Sequence, residues 1–146
     1  MADYTPFPTK LVTPEGVQFD GDATTTIVTG VGGNVGILAR HAPIVSDLRM
    51  GTCRVQLEDG SWRTWATAEG FATAHDSTAL VLVEEAVEAC DIDVEAADAL
   101  IAEHRNRIAD AGTASGEHKV YSSDHVAAEK SIAWGEHLKA VHAVYA

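Results

Sequence analysis

The chain has 146 residues, 46% of them apolar, and its 22 acidic against 10 basic side chains give a formal net charge of −12. That length suits one ordinary domain or a compact domain with an appendage, and the apolar share suffices for a core. The charge argues against a nucleic-acid surface, which needs clustered lysine and arginine, and against a free-standing binder of anionic lipid; solubility is the plain use of so many acids.

No apolar run approaches membrane-spanning length, and the opening "MADYTPFPTK" has neither the basic patch and long apolar stretch of a signal peptide nor an arginine-rich transit pattern. A bacterial cytosolic location is the simplest inference. Cys53 and Cys90 stand far apart with no CxxC, as two small buried or half-buried thiols would.

From the N-terminus, "TKLVTPEGVQFDGDATTTIVTG" gives two or three strands, with turns at Pro14-Glu15-Gly16 and Asp20-Gly21-Asp22. "GGNVGILARHAP" then poses a choice between a phosphate-cradling loop and plain turns. A phosphate loop needs GxxxxGK[ST], and no lysine follows these glycines. Gly30, Gly32 and Gly36 miss the dinucleotide spacing by one residue, and Pro43 would interrupt the helix that should follow. The glycines are read as reversals between strands.

"CRVQLE" alternates, with Cys53, Val55 and Leu57 on one face, as a half-buried strand does. Asp59-Gly60 turns it into "SWRTWATA"; Glu69-Gly70 turns again, "FATAH" extends, Asp76-Ser77 turns, and "TALVLVE" is apolar on both faces, as a central strand would be. Short strands at close spacing, with no helices between them, predict a β-sandwich or flattened barrel. From about Asp91 the texture changes. Asp91 or Asp93 fits a helix cap, and Val94, Ala97, Ile101, His104 or Arg105, and Ile108 form one stripe. "AGTASGEHK" breaks the pattern, which resumes from Ser122 with Val126, Lys130, Trp134, Leu138, Val141 and Tyr145, with Ser123 or Asp124 as its cap. Gly135 falls mid-helix at a cost of about 1 kcal/mol relative to alanine, so this second helix needs something to lie against. The expectation is mainly β with α: an N-terminal β-sandwich of residues 1–88 and a C-terminal antiparallel helical hairpin of residues 89–146.

Catalytic chemistry finds no constellation here. The seven histidines show no HExxH spacing, no GxSxG occurs, and His41 in its turn reads best as a ring bonded to local backbone. No catalytic residue, metal site or cofactor is expected, and a small acidic β domain with a helical hairpin points to an assembly part.

Three stretches carry a resemblance. "LVTPEGVQFDGDATTTIVTG", "GGNVGILARHAPIVSDLRMG" and "EEAVEACDIDVEAADAL" resemble, in order and spacing, the epsilon subunit of bacterial F-type ATP synthase, over about residues 8 to 108. The family pattern departs at Ala39-Arg40, Met50-Gly51 and Ala68-Glu69-Gly70, where turns are altered but kept. The resemblance implies a sandwich of about ten strands plus the hairpin. It implies a non-catalytic rotor subunit of the central stalk, a peripheral membrane protein on the cytoplasmic face of the bacterial inner membrane. Its partners would be the gamma subunit and the c ring, and it would help couple proton transport to ATP synthesis. In several members the hairpin also extends toward the catalytic alpha and beta subunits and blocks ATP hydrolysis.

For individual residues, the resemblance implies a ring-facing end with Gly33, Asn34 and His41, with Val35 beside them, as contacts to the c ring or gamma. Nucleotide-binding members use an I-D-x-x-R-A motif. Here Ile92 and Asp93 match it, but Ala96 stands at the arginine position and residues 113–146 hold no arginine, so tight ATP binding is not expected. The hairpin's Lys119, Lys130 and Lys139 face Glu117, Asp124, Glu129 and Glu136 in number, a poor balance for docking on an acidic target. A partner-binding sandwich should also expose apolar surface, expected around Trp62, Trp65 or Phe71. The other reading is a free-standing β-sandwich that binds a ligand or partner without a stalk.

Overall fold

The computed structural model describes residues 5–113 and 123–145. Among the described residues nine strands precede two helices, in keeping with the expected sandwich of about ten: β1 (Phe7–Thr13), β2 (Gly16–Ala23), β3 (Thr25–Gly30), β4 (Gly33–Ile37), β5 (Ile44–Gln56), β6 (Trp62–Thr67), β7 (Gly70–His75), β8 (Thr78–Val83) and β9 (Ala86–Glu88), then α1 (Val94–Thr113) and α2 (Ser123–Tyr145). The strands hydrogen-bond in the order β2-β1-β8-β7-β5-β3-β4, with β6 between β5 and β9. β1 runs parallel to β8; the other pairs are antiparallel.

β5 closes this path into a sandwich. Its first residues, 44–48, pair with β7, and its last, 51–56, pair with β6, so one strand serves both layers. Alternation decides what goes inside. Phe7, Leu11, Val28, Ile37, Cys53, Val55 and Val81 are buried between the layers, each from an every-other-residue pattern, and Trp65 joins them from β6, whose last four residues are all buried. Thr9 and Thr26 are buried too, and their hydroxyls bond each other at 3.1 Å across the sandwich.

Three expectations change here. Met50-Gly51 is not a turn: β5 runs unbroken through it, passing from its pairing with β7 to its pairing with β6. Asp20-Gly21-Asp22 is not a turn: β2 runs through it, both aspartates stay exposed, and the Phe19 ring lies over Gly21, where a Cβ would meet it at 3.3 Å. Trp65 is not surface: it is 2% exposed and meets Phe19 edge-on at 5.5 Å.

The Asp59-Gly60 turn forms as expected, but the two residues act differently. Gly60 takes the left-handed backbone (φ 85°), whereas the Asp59 carboxylate accepts the Ser61 amide and hydroxyl. At Asp76-Ser77 both residues take positive φ, the conformation of a tight hairpin.

α1 runs on to Thr113, into the stretch expected to be a loop; its remainder, residues 114–119, and Ser122 lie outside the described residues. So do the side chains of Ser123, Asp124 and Val126. The hairpin is folded down on the sandwich. Val141 is buried with Ala66, Ala89 and Ile92, and Trp134, Leu138 and Val87 pack around them. Gly135 now has its reason: a Cβ there would lie 2.8 Å from Ile101 and 3.3 Å from the Ala97 carbonyl, so glycine lets α2 approach α1 closely. Arg105–Glu136 and Lys139–Asp98, each 2.7 Å, lace the two helices together.

Candidate functional site

The residues a sequence reading would inspect for chemistry are held in structural roles. Glu88, Cys90 and Asp91 bring three potential ligand atoms within 4.8 Å of one another. Glu88, however, already takes a forked pair of 2.8 Å hydrogen bonds from the Arg63 guanidinium. Those bonds hold its carboxyl below the usual range, and they raise Arg63 in turn. Ile92 is buried under α2, and the Asp93 carboxylate accepts the Ala96 amide at 3.1 Å, as a helix cap does. Both residues named for nucleotide contact thus have local duties.

Gly33, Asn34 and Val35 open β4 at the tip of the β3–β4 hairpin. Asn34 pairs with Thr29 and Val35 with Val28, while Val31, Gly32, Gly33 and Asn34 stand exposed. Gly33 takes φ 130°, which a side chain rarely tolerates. His41 lies beyond the other end of β4. Its Nδ1 donates to the Ala42 carbonyl at 2.6 Å, and its ring lines a shallow depression with Phe7, Ala74 and His75. Strand rise puts roughly 13 Å between Asn34 and Leu38, so the structure does not gather these four residues into one cluster.

What it does gather is an apolar face. On the outside of β1, β8, β7 and the start of β5, the register sets Val12 beside Leu82, Leu82 beside Phe71, and Val45 beside Thr73. Val17 of β2 continues the row opposite Val12. Val45 is 73% exposed, Val17 56% and Phe71 42%, on the face that the helices leave open. At one end a groove of about 380 Å³ runs between Val12, Pro14, Phe71 and Leu82, with Glu69 and Glu84 at its rim. The sequence carried one signal for this surface, the strand "TALVLVE", apolar on both sides although only Ala79, Val81 and Val83 enter the core. Trp62, also named as a candidate, is 40% exposed but lies on the opposite layer, where Arg54 stacks 4.6 Å over its ring and 5.2 Å from that of Tyr145.

A sandwich with a bare apolar face and a folded helical appendage has the form of a docking part. Residues 7–89 match the family described as ATP synthase, Delta/Epsilon chain, beta-sandwich domain. The chain is 35% identical over 117 residues to the ATP synthase epsilon chain of Desulforamulus reducens, covering 80% of this chain and 88% of that one. It is 30% identical over 111 residues to the one from Persephonella marina, covering 76% and 82%. Its fold is similar to a chain in the Euglena gracilis mitochondrial ATP synthase structure, with a TM-score of 0.69 at 22% identity over 96% of this chain and 85% of that one. A chain from the Tetrahymena thermophila central stalk and c-ring structure gives a TM-score of 0.54 at 14% identity, over 96% and 99%. The chain belongs to the ATP synthase epsilon-chain family, whose members are non-catalytic parts of the complex.

Proposed function

We propose that the chain joins the rotating shaft of an F-type ATP synthase to its ion-driven ring, and so couples proton flow to ATP synthesis. The observation that carries this is the open apolar face of β1, β8, β7 and β5 on a chain of this family. Such a face in a soluble part is costly to leave wet and marks where a partner packs. The gamma subunit covers it in this reading, with His41 at its margin. The exposed β3–β4 tip, with Gly33, Asn34 and Val35, meets the c ring. The similar solved chains come from assemblies whose titles name F1, the c-ring and the central stalk.

In this reading residues 1–88 do the docking and residues 89–146 form the folded appendage. The location is peripheral, on the cytoplasmic face of a bacterial inner membrane. No described helix is long and apolar enough to cross a membrane, which fits attachment through partners.

Capture of a tagged cognate gamma subunit tests the reading. The full chain should be retained, and Val45→Asp with Phe71→Asp should weaken retention by at least about tenfold, since two desolvated apolar anchors are replaced by charges. Both positions are exposed, so circular dichroism should show an unchanged fold. No capture by the unaltered chain would return the free-standing module. In the assembled rotor, Asn34→Trp should impair ring attachment; unchanged coupling would remove the tip from the interface.

A further inference from the structure

The groove at the Glu69 end of the apolar face has a chemical character that the face itself lacks. Three turns line it: β1–β2 through Pro14, β6–β7 through Glu69, and β8–β9 through Glu84, with Glu15 and Glu85 next in sequence to Pro14 and Glu84. The backbone ties two of them together, since the Glu84 amide donates to the Glu69 carbonyl and the Ala68 amide to the Glu85 carbonyl. Glu85 is raised chiefly by its partial burial, and then by Glu15 and Glu84, which places these carboxylates within one another's field. The ion pair described here, Lys130 of α2 to Glu69 at 3.6 Å, is long and lies on the hairpin side. On the groove side, Glu84 stands at the edge of a cavity floored by Val12, Phe71 and Leu82.

Apolar floor and acidic rim together select an occupant. A neutral apolar segment would fill the floor and leave the carboxylates crowded. An anionic lipid surface would be repelled. A second copy of this acidic chain would bring more acids to the rim. A segment that sets a lysine or arginine next to apolar side chains satisfies both halves, because a long cationic side chain lays its methylenes on the floor and its head at the rim.

We propose that the groove between Val12, Phe71 and Leu82 receives a basic, apolar-flanked segment of the protein that covers this face, with Glu84 as its counter-charge. This rests on the reading that gamma is that protein. It adds an electrostatic contact at one defined end of the interface.

The test is association of the full-length chain with its cognate gamma subunit, followed by stopped flow and calorimetry at low and high salt. Glu84→Gln should weaken binding about threefold to tenfold at low salt, mainly through slower association, and should flatten the salt dependence. Glu58→Gln, an exposed acid on the β5–β6 turn, should change neither. Glu84→Lys should weaken binding further than Glu84→Gln. Equal affinity and equal salt slope for the unaltered chain and the Gln variant would overturn the proposal while leaving gamma docking intact, provided Phe71→Asp still weakens it. If Phe71→Asp is also silent, or if the unaltered chain does not bind gamma, the docking reading falls and this inference with it. A concentration-dependent dimer in sedimentation, lost with Phe71→Asp, would assign the groove to a second copy and likewise overturn it.

Discussion

Arg63 draws together more of the structure than any other charged side chain described. From β6 it holds the Glu88 carboxylate at the end of β9, and its guanidinium also lies 4.8 Å over Trp65 and 5.4 Å from Phe19. It thus ties the strand before the hairpin to the largest rings of the core. Glu88 ionises more easily folded than unfolded, chiefly because of the Arg63 hydrogen bonds. Its contribution is therefore present above the unfolded value near 4.5 and is lost as pH falls through the lower folded value. Glu88→Gln should cost about 1 kcal/mol near pH 7, a figure kept small because the Arg63 side chain is 38% exposed. Urea unfolding should show that gap shrinking as pH is lowered below 4.5 toward and through the lower folded value; a gap of equal size at every pH would contradict the account. The cysteines behave as residues of different kinds. Burial pushes the Cys53 thiol up to about 12, which makes it an inert core atom, whereas Cys90 is exposed beside Glu88 and Asp91.

Among the elements, α2 depends most on its neighbours. Gly135 weakens it as an isolated helix but lets it sit close on Ile101 and Ala97. Gly135→Ala should gain helix propensity and still lower the thermal midpoint, because the new methyl meets Ile101 at 2.8 Å. Pairing it with Ile101→Ala should cost less than the sum of the two single changes; a raised midpoint for Gly135→Ala alone would show that the helices yield. The strands needed no such help. Alternation in "CRVQLE" placed Cys53 and Val55 inside, and the dipeptides Asp59-Gly60 and Asp76-Ser77 marked real turns, because these are local rules. Where the decisive contact is distant, the local rule failed. Asp20-Gly21-Asp22 has turn composition, yet pairing with β1 keeps it extended, with Gly21↔Thr9 in register. Trp65 and Trp62 look alike in "SWRTWATA", but strand parity with Cys53 sends only Trp65 inward. The apolar face was only partly legible for the same reason: "TALVLVE" and Phe71 pointed to it, but Val12, Val45, Phe71 and Leu82 come from four strands, and only the register makes them neighbours.

For the whole molecule the question is whether the hairpin leaves the sandwich. Lifting α2 would expose Val141, Trp134 and Leu138 together with Ala66 and Ile92 beneath them, and would break the 2.7 Å bond between His137 Nε2 and the Gly51 carbonyl. Each large apolar side chain exposed costs roughly 1.5–3 kcal/mol; Val141 and Ile92 are buried while Trp134 and Leu138 are only partly so, and several kcal/mol favour the folded position. A partner must supply that difference to hold the hairpin extended. The described lysines of α2 are poorly placed to do so on an acidic target, since Lys130 and Lys139 are both paired in the folded arrangement, with Glu69 and Asp98. No arginine is available from residue 113 onward. In this folded arrangement the hairpin covers the β5–β6 layer. Deleting residues 112–146 in the assembled complex should change ATP hydrolysis by less than about fivefold, below the smallest coupling usual for a regulatory contact. The same deletion should lower the melting temperature of the isolated chain by uncovering Ala66 and Ile92. A much larger rise in hydrolysis would mean that the partner does supply the missing several kcal/mol, and that the folded hairpin is a resting position rather than the working one.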